Sequence, residues 1–323
     1  MTPAGRTTWA GLSCMMLAIA ALDAAAQDAR SWLDRMNRAV EELNYEGTFV
    51  HVLGGSNAET MHIIHRNHGG RISERLVSLD GVGREIIREE DMVRVILPDR
   101  RLVLLEARKD TSPLVAALPN YSEELEPHYD FTLYRSARVA KRPVHIVGIK
   151  PKDEYRYGYM LWLDRDTAMP LKSQLRNERD EVIEQIVFTQ IQISEFIPAS
   201  ALHPGIDTEG FTFERSPEAG LPQDSQPSWR ASMLPRGFRL SAATQGSMAG
   251  SEYPVGHLVY SDGLATVSVF IEDPKTNADV TEGPSRYGST NVYSLTLNGR
   301  KVTAVGEVPQ QTVRSIAMSL SAE

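Results

Sequence analysis

Four histidines, His51, His62, His65 and His68, lie close together in the chain and are the first residues whose type suits metal chemistry. Met61-His62-Ile63-Ile64-His65 reads as β-strand, however, and neighbouring positions of a strand point to opposite faces. His62 and His65 therefore diverge, and the group reads as surface or hairpin histidines. Gly81-Val82-Gly83 lacks the third glycine of a dinucleotide fingerprint, and Arg84-Glu85-Ile86-Ile87 after it reads as strand, so it is a turn. The chain has neither a Gly-x-Ser-x-Gly elbow nor a His-Glu-x-x-His pair. Asp153 with Glu154, and Asp164 with Asp166, fall at turns, where aspartate commonly caps backbone N–H groups. No constellation for nucleophilic, acid–base or metal chemistry emerges, so no catalytic residue, metal or cofactor is expected.

The elements that surround these residues are mostly strands. Tyr155, Tyr157, Tyr159, Leu161 and Leu163 recur at every second position, which in an extended strand sets them on one face. Leu171, Ser173 and Leu175 follow after a turn, and Val182 to Ile193 forms a third apolar run, giving an antiparallel meander. Upstream, Trp32, Met36, Ala39, Val40 and Leu43 predict an amphipathic helix capped by Ser31. Short β runs then occupy Thr48 to Ala107, and further ones Phe131 to Ile149, around a short helix expected at Leu114 to Leu118. Ten or eleven strands with one helix predict a curled sheet, and a half-open barrel with a helix laid inside it can hold an apolar ligand. Alternation selects Phe49, Ile63, Ile87, Val95, Tyr159, Leu161 and Leu175 as the side chains of a shared concave, lipid-binding face. A slip of one residue would invert that choice.

The chain begins with Arg6, an apolar stretch from Trp9 to Leu22 and then Ala24-Ala25-Ala26, so residues 1–26 read as a signal peptide that is removed. The single cysteine, Cys14, lies inside it, and the rest of the chain can form neither a disulfide nor a thiolate site. The formal charge is -8. The part from Trp229 onward carries eight basic and eight acidic residues, and no basic stripe is present, so nucleic acid is not an expected partner. Residues 27–205 make the first domain and 206–228, with Pro217, Pro222 and Pro227, a semi-rigid linker. Residues 229–323 read as a small α+β domain with four or five strands, a hairpin across Asn298-Gly299 and a final helix from Pro309 to Leu320. The class is mainly β, of α+β type.

The chain resembles the MucB/RseB family in Trp32-Leu33-Asp34-Arg35-Met36, in Leu43-Asn44-Tyr45-Glu46-Gly47-Thr48-Phe49 and in Glu74 to Gly81. The likeness continues through Tyr157-Gly158-Tyr159, Pro170-Leu171-Lys172-Ser173, Leu234-Pro235-Arg236-Gly237-Phe238, His257 to Gly263 and Gly306-Glu307-Val308-Pro309. That resemblance implies a LolA/LolB-like first domain with an apolar cavity for lipid or lipopolysaccharide acyl chains. It implies a periplasmic protein, peripheral to the inner membrane through its partner, the periplasmic domain of an anti-sigma factor of RseA/MucA type. Family members shield that partner from the protease DegS, and bound lipid is thought to release it. The exposed strand surface around His257, Tyr260 and Tyr293 is the expected partner contact. A lipid or lipoprotein carrier is the alternative, and the oligomeric state, homo-oligomer included, stays open.

Overall fold

The computed structural model describes residues 28–54, 57–89, 92–107, 114, 118–215, 223–224, 228–246, 254–273 and 282–322. The signal peptide and most of the short helix expected at Leu114 to Leu118 lie outside them.

Helix α1 spans 28–42, so Ser31 sits within it and is not its cap. Ala29, Leu33, Met36 and Val40 are buried along one stripe, while Asp34, Arg38, Glu41 and Glu42 face solvent, as an amphipathic surface helix requires. Twelve strands follow: β1 Asn44–Leu53, β2 Asn57–His68, β3 Arg71–Ser78, β4 Glu85–Glu89, β5 Met92–Leu97 and β6 Leu102–Ala107, then β7 Tyr129–Val139, β8 Arg142–Pro151, β9 Gly158–Asp164, β10 Pro170–Arg176, β11 Val182–Ser194 and β12 Thr212–Arg215. They form one open sheet in the order β12-β6-β5-β4-β3-β2-β1-β11-β10-β9-β8-β7. Neighbours pair antiparallel except β12, which runs parallel to β6.

Two hydrophobic clusters join α1 to this sheet. Leu33 and Met36 pack with Val147, Leu161 and Leu163, and Val40 packs with Phe49, Ile63, Leu76 and Phe188. The helix therefore touches both arms of a half-barrel and fills much of its concave face. On the opposite face Ile206 and Phe211 cover Ile87, Ile96 and Val103. The first part of the expected linker is thus docked chain, because Ile206 and Phe211 have a patch to bury, and β12 extends the sheet to Arg215.

The second domain contains β13 Gln223–Asp224, β14 Trp229–Ala231, β15 Arg239–Gly246, β16 Val255–Ser261, β17 Thr266–Glu272, β18 Gly283–Tyr287, β19 Thr290–Leu297, β20 Arg300–Gly306, α2 Gln310–Met318 and β21 Leu320–Ala322. Its sheet has seven strands, ordered β13-β15-β16-β17-β20-β19-β18, more than the four or five expected, because Pro284 hides β18 and polar residues hide β13. β14 pairs separately with β21. Val313, Ile316 and Ala317 of α2 are buried against Tyr260, Val267, Val269 and Ala304. Asn298 and Gly299 take φ of 51° and 70° in the β19–β20 turn, the left-handed pair that a two-residue hairpin of this kind needs.

Candidate functional site

The seam between the two domains is the most built feature of the molecule. Residues 152–156 form a bend that fits the turn expected at Asp153 and Glu154 but also takes in Tyr155 and Arg156, which alternation had placed in a strand. Asp153 caps the Tyr155 N–H at 3.0 Å. The bend turns Arg156 inward, where it is 0% exposed. Its Nε donates to Asp262 Oδ2 of the second domain at 2.5 Å, and its other nitrogens bond Asp153 and the Arg236 carbonyl. The guanidinium also lies 5.1 Å from the Phe238 ring centroid, a cation–π arrangement. Asp262 is fully engaged: Tyr129 Oη donates to Oδ2 at 3.0 Å, and Leu264 N and Ala265 N donate to Oδ1 at 2.9 and 2.7 Å. Burial, and then the Asp262 charge, hold the Tyr129 phenol far above its usual range.

Further bonds tie the seam. Asn291 Nδ2 donates to Tyr157 Oη at 2.9 Å, and Thr312 Oγ1 to the Tyr155 carbonyl at 2.8 Å. At the far corner Ser289 Oγ meets Glu184 Oε2 at 2.7 Å and Glu307 Oε1 at 2.5 Å, while His51 Nε2 meets Glu184 Oε1 at 2.7 Å. Between these anchors lies a cavity of about 250 Å³. The first domain lends it Leu118, Tyr159 and Leu175, the second Leu264, Thr266 and Glu307. Its walls are as polar as they are apolar, with Asn120, Thr266, Glu307 and tyrosine hydroxyls set among leucines. Burial raises the Tyr159 phenol above its usual range.

The structure divides the residues expected on the lipid face. Tyr159 and Leu175 reach the cavity. Phe49, Ile63 and Leu161 share the same sheet face but are core, at 3%, 1% and 0% exposure, under α1. Val95 pairs with Ile86 and Leu104 on that face and is half-buried. Ile87 is a correction: Ile86 pairs with Leu76 and Val95, so Ile87 points the other way and packs with Ile96 and Val103. Adjacent strand residues alternate faces, and both are isoleucine, so composition could not choose between them.

The expected partner trio is also divided. Tyr260 is 0% exposed and accepts a bond from Ala231 N at 2.9 Å, so it belongs to the core under α2. Tyr293, paired with Ala304, packs against that same core. His257 lies on the other face, stacked on Phe270 at 4.6 Å, and desolvation lowers its pKa. Among the upstream histidines, His62 and His65 diverge, but His65 is 1% exposed, 2.7 Å from Glu74 and stacked on Tyr45. It is a core histidine, not a surface one. No group of three or more metal-ligating residues exists among the described residues. Asp164 caps Thr167 N at 3.1 Å and is bidentate to Arg142, the capping role that its turn position implies.

Residues 28–206 match the model of the MucB/RseB N-terminal domain, and 223–321 that of the C-terminal domain. The chain belongs to the MucB/RseB family. It is 35% identical over 313 residues to the sigma factor AlgU regulatory protein MucB of Pseudomonas aeruginosa, covering 95% of both chains. To the sigma-E factor regulatory protein RseB of Haemophilus influenzae it is 26% identical, covering 96% of both. The fold is similar to the MucB chain in a solved MucA/MucB complex of Pseudomonas aeruginosa, with a TM-score of 0.71, 31% identity and coverage of 92% of this chain and 99% of that one. MucB in a crystal structure of its own gives a TM-score of 0.62 at 30% identity. Among the described residues no helix is long and apolar enough to cross a membrane.

The residues that sequence reasoning missed are Arg156, Asp262, Ser289, Glu184 and Glu307. Arg156 carried one signal, a charge at alternate register within an apolar run.

Proposed function

We propose that this protein is a periplasmic regulator that binds the periplasmic domain of an RseA/MucA-type anti-sigma factor and shields it from DegS-type proteolysis. Lipid or lipopolysaccharide acyl chains release the shield. The observation that carries this reading is the likeness, over 92% of the chain, to a MucB solved together with MucA. Both named relatives are regulatory proteins, which agrees with a role other than catalysis.

The lipid half of the reading rests on the seam cavity. An acyl chain gains about 0.8 kcal/mol per buried methylene, and the cavity has walls from both domains. A ligand there has different contacts when the domains part, which is the differential affinity that coupling to a second site requires. The test is digestion of the anti-sigma periplasmic domain by DegS with and without this protein. Protection that acyl lipid reverses is expected; full cleavage at saturating protein would overturn the shield.

A carrier needs only the first domain. Deleting residues 229–323 is a poor discriminator, because it strips Asp262 from Arg156 and Asn291 from Tyr157. A chain that keeps the seam but changes the exposed face of the second domain separates the two readings, since a carrier would be indifferent to it.

A further inference from the structure

The corner of the seam at Ser289 contains one proton too few for its contacts. Ser289 is 1% exposed, and its Oγ stands 2.7 Å from a Glu184 oxygen and 2.5 Å from a Glu307 oxygen. A hydroxyl has one hydrogen to donate, and an ionised carboxylate has none. With both glutamates ionised, one of these short contacts would press two acceptors together. His51 cannot relieve it, since its Nε2 faces the other oxygen of Glu184 at 2.7 Å. A second proton must sit on a carboxyl.

We propose that Glu307 holds this proton and that it latches the two domains at this corner: Glu307 O–H donates to Ser289 Oγ, Ser289 O–H donates across the seam to Glu184, and His51 N–H donates to the remaining Glu184 oxygen. Glu184 and His51 come from β11 and β1, and Ser289 and Glu307 from the second domain. The bond that crosses the seam therefore depends on Glu307 staying protonated. When Glu307 ionises, the hydroxyl must serve two carboxylates, and their charges repel.

The surroundings favour this assignment. Burial raises the Glu307 carboxyl, and the charge of Glu184 and a direct bond to it raise it further, together outweighing the Ser289 bond and the His51 charge, which act the other way. Burial alone would also raise Glu184, but the His51 and Ser289 bonds outweigh it and hold that carboxyl low. Glu307 is an exposed residue that also lines the cavity, but its Oε1 is held against the buried Ser289 hydroxyl. Tyr157 and Tyr159 face the corner from the first domain with phenols raised by burial, and stay neutral there. Arg286 and Glu178 act on Tyr157 with opposite signs, and Arg286 Nε is taken up by the Gly288 carbonyl at 2.8 Å.

The sign follows from linkage. Opening the corner returns Glu307 toward the ordinary value of 4.5, so the docked state binds the proton more tightly. Its contribution is complete below 4.5 and is lost as pH rises through the raised value. Glu184 contributes in the opposite sense, and that part is lost only as pH falls through its lowered value. The latch is strongest in mild acid and slackens on the alkaline side.

The experiment is amide hydrogen exchange on the whole two-domain protein between about pH 5 and 8, corrected for the intrinsic rate, with a ceiling of about tenfold per pH unit for one linked proton. Protection at 51–54 and 288–291 should fall as pH rises. Glu307→Gln, which donates an N–H to Ser289 without titrating, should give a flat profile. Glu46→Gln, at the exposed pair with His62, should keep the original profile. A flat profile in the unaltered protein, or an unchanged bend in Glu307→Gln, overturns the latch. Carbon-13 titration of the Glu307 carboxyl is a readout independent of any variant: a midpoint at the ordinary 4.5 also overturns it.

Discussion

Replacing Arg156 by methionine would leave the Asp262 carboxylate in a site where it is 1% exposed, without its cation. Removing one partner of a buried pair costs about 3–5 kcal/mol, chiefly because the other charge stays desolvated. Asp262 keeps three donors at 2.7–3.0 Å, from Ala265 N, Leu264 N and Tyr129 Oη, which still stabilise its charge. The expected loss for Arg156→Met is therefore at the lower end, about 3 kcal/mol. Because the pair joins the domains, the loss should also separate their unfolding. Trp32 and Trp162 report on the first domain and Trp229 on the second in a urea titration followed by fluorescence. One transition should become two. Asp262→Asn in the same background should add less than its effect alone, with a coupling of about 0.5–3 kcal/mol for groups in direct contact. A midpoint that does not move, or two substitutions whose effects simply add, would refute the account of the seam as an ion-pair anchor.

Three other substitutions test the packing and the cavity. At Gly47 a Cβ would lie 2.7 Å from the Gln190 carbonyl oxygen and 3.0 Å from the Phe188 ring, so Gly47→Ala should cost about 1–3 kcal/mol by overpacking, measured by thermal melting. Ile87→Ala should cost about 2–5 kcal/mol and leave acyl-probe affinity unchanged, because Ile87 is 1% exposed on the face away from α1. Weakened lipid binding at preserved stability would contradict that placement. Thr266 is exposed where it lines the cavity, so Thr266→Trp should alter stability by no more than about 0.5 kcal/mol and abolish binding of a fluorescent fatty acid. If the probe binds as before, the seam cavity is not the acyl site.

Most strands of the half-barrel are readable because side-chain direction in a strand alternates with a period set by the local backbone. The helix 28–42 is readable for the same reason, its stripe of Met36, Ala39 and Val40 repeating at helical spacing, although its start and the buried Leu33 were not part of that pattern. The strands that escaped, β12, β13, β14, β18 and β21, are short or polar, and they exist because a neighbour offers them an edge.

By itself, the sequence determined the class of fold, the split into two domains, the Asn298-Gly299 hairpin and the family, all of which rest on local pattern or on many residues at once. Tertiary structure alone decided which of Ile86 and Ile87 faces α1, since pairing with Leu76 and Val95 sets the register. It alone buried Tyr260, which alternation had left exposed. It also decided the fate of Arg156. A charge beside an apolar run belongs in water until an aspartate 106 residues further along is brought to 2.5 Å, and only the docking of the second domain supplies it. The same holds for the corner at Ser289, where two carboxylates 123 positions apart in sequence become partners only across the seam, because hydrogen bonds and desolvation act through space, not along the chain.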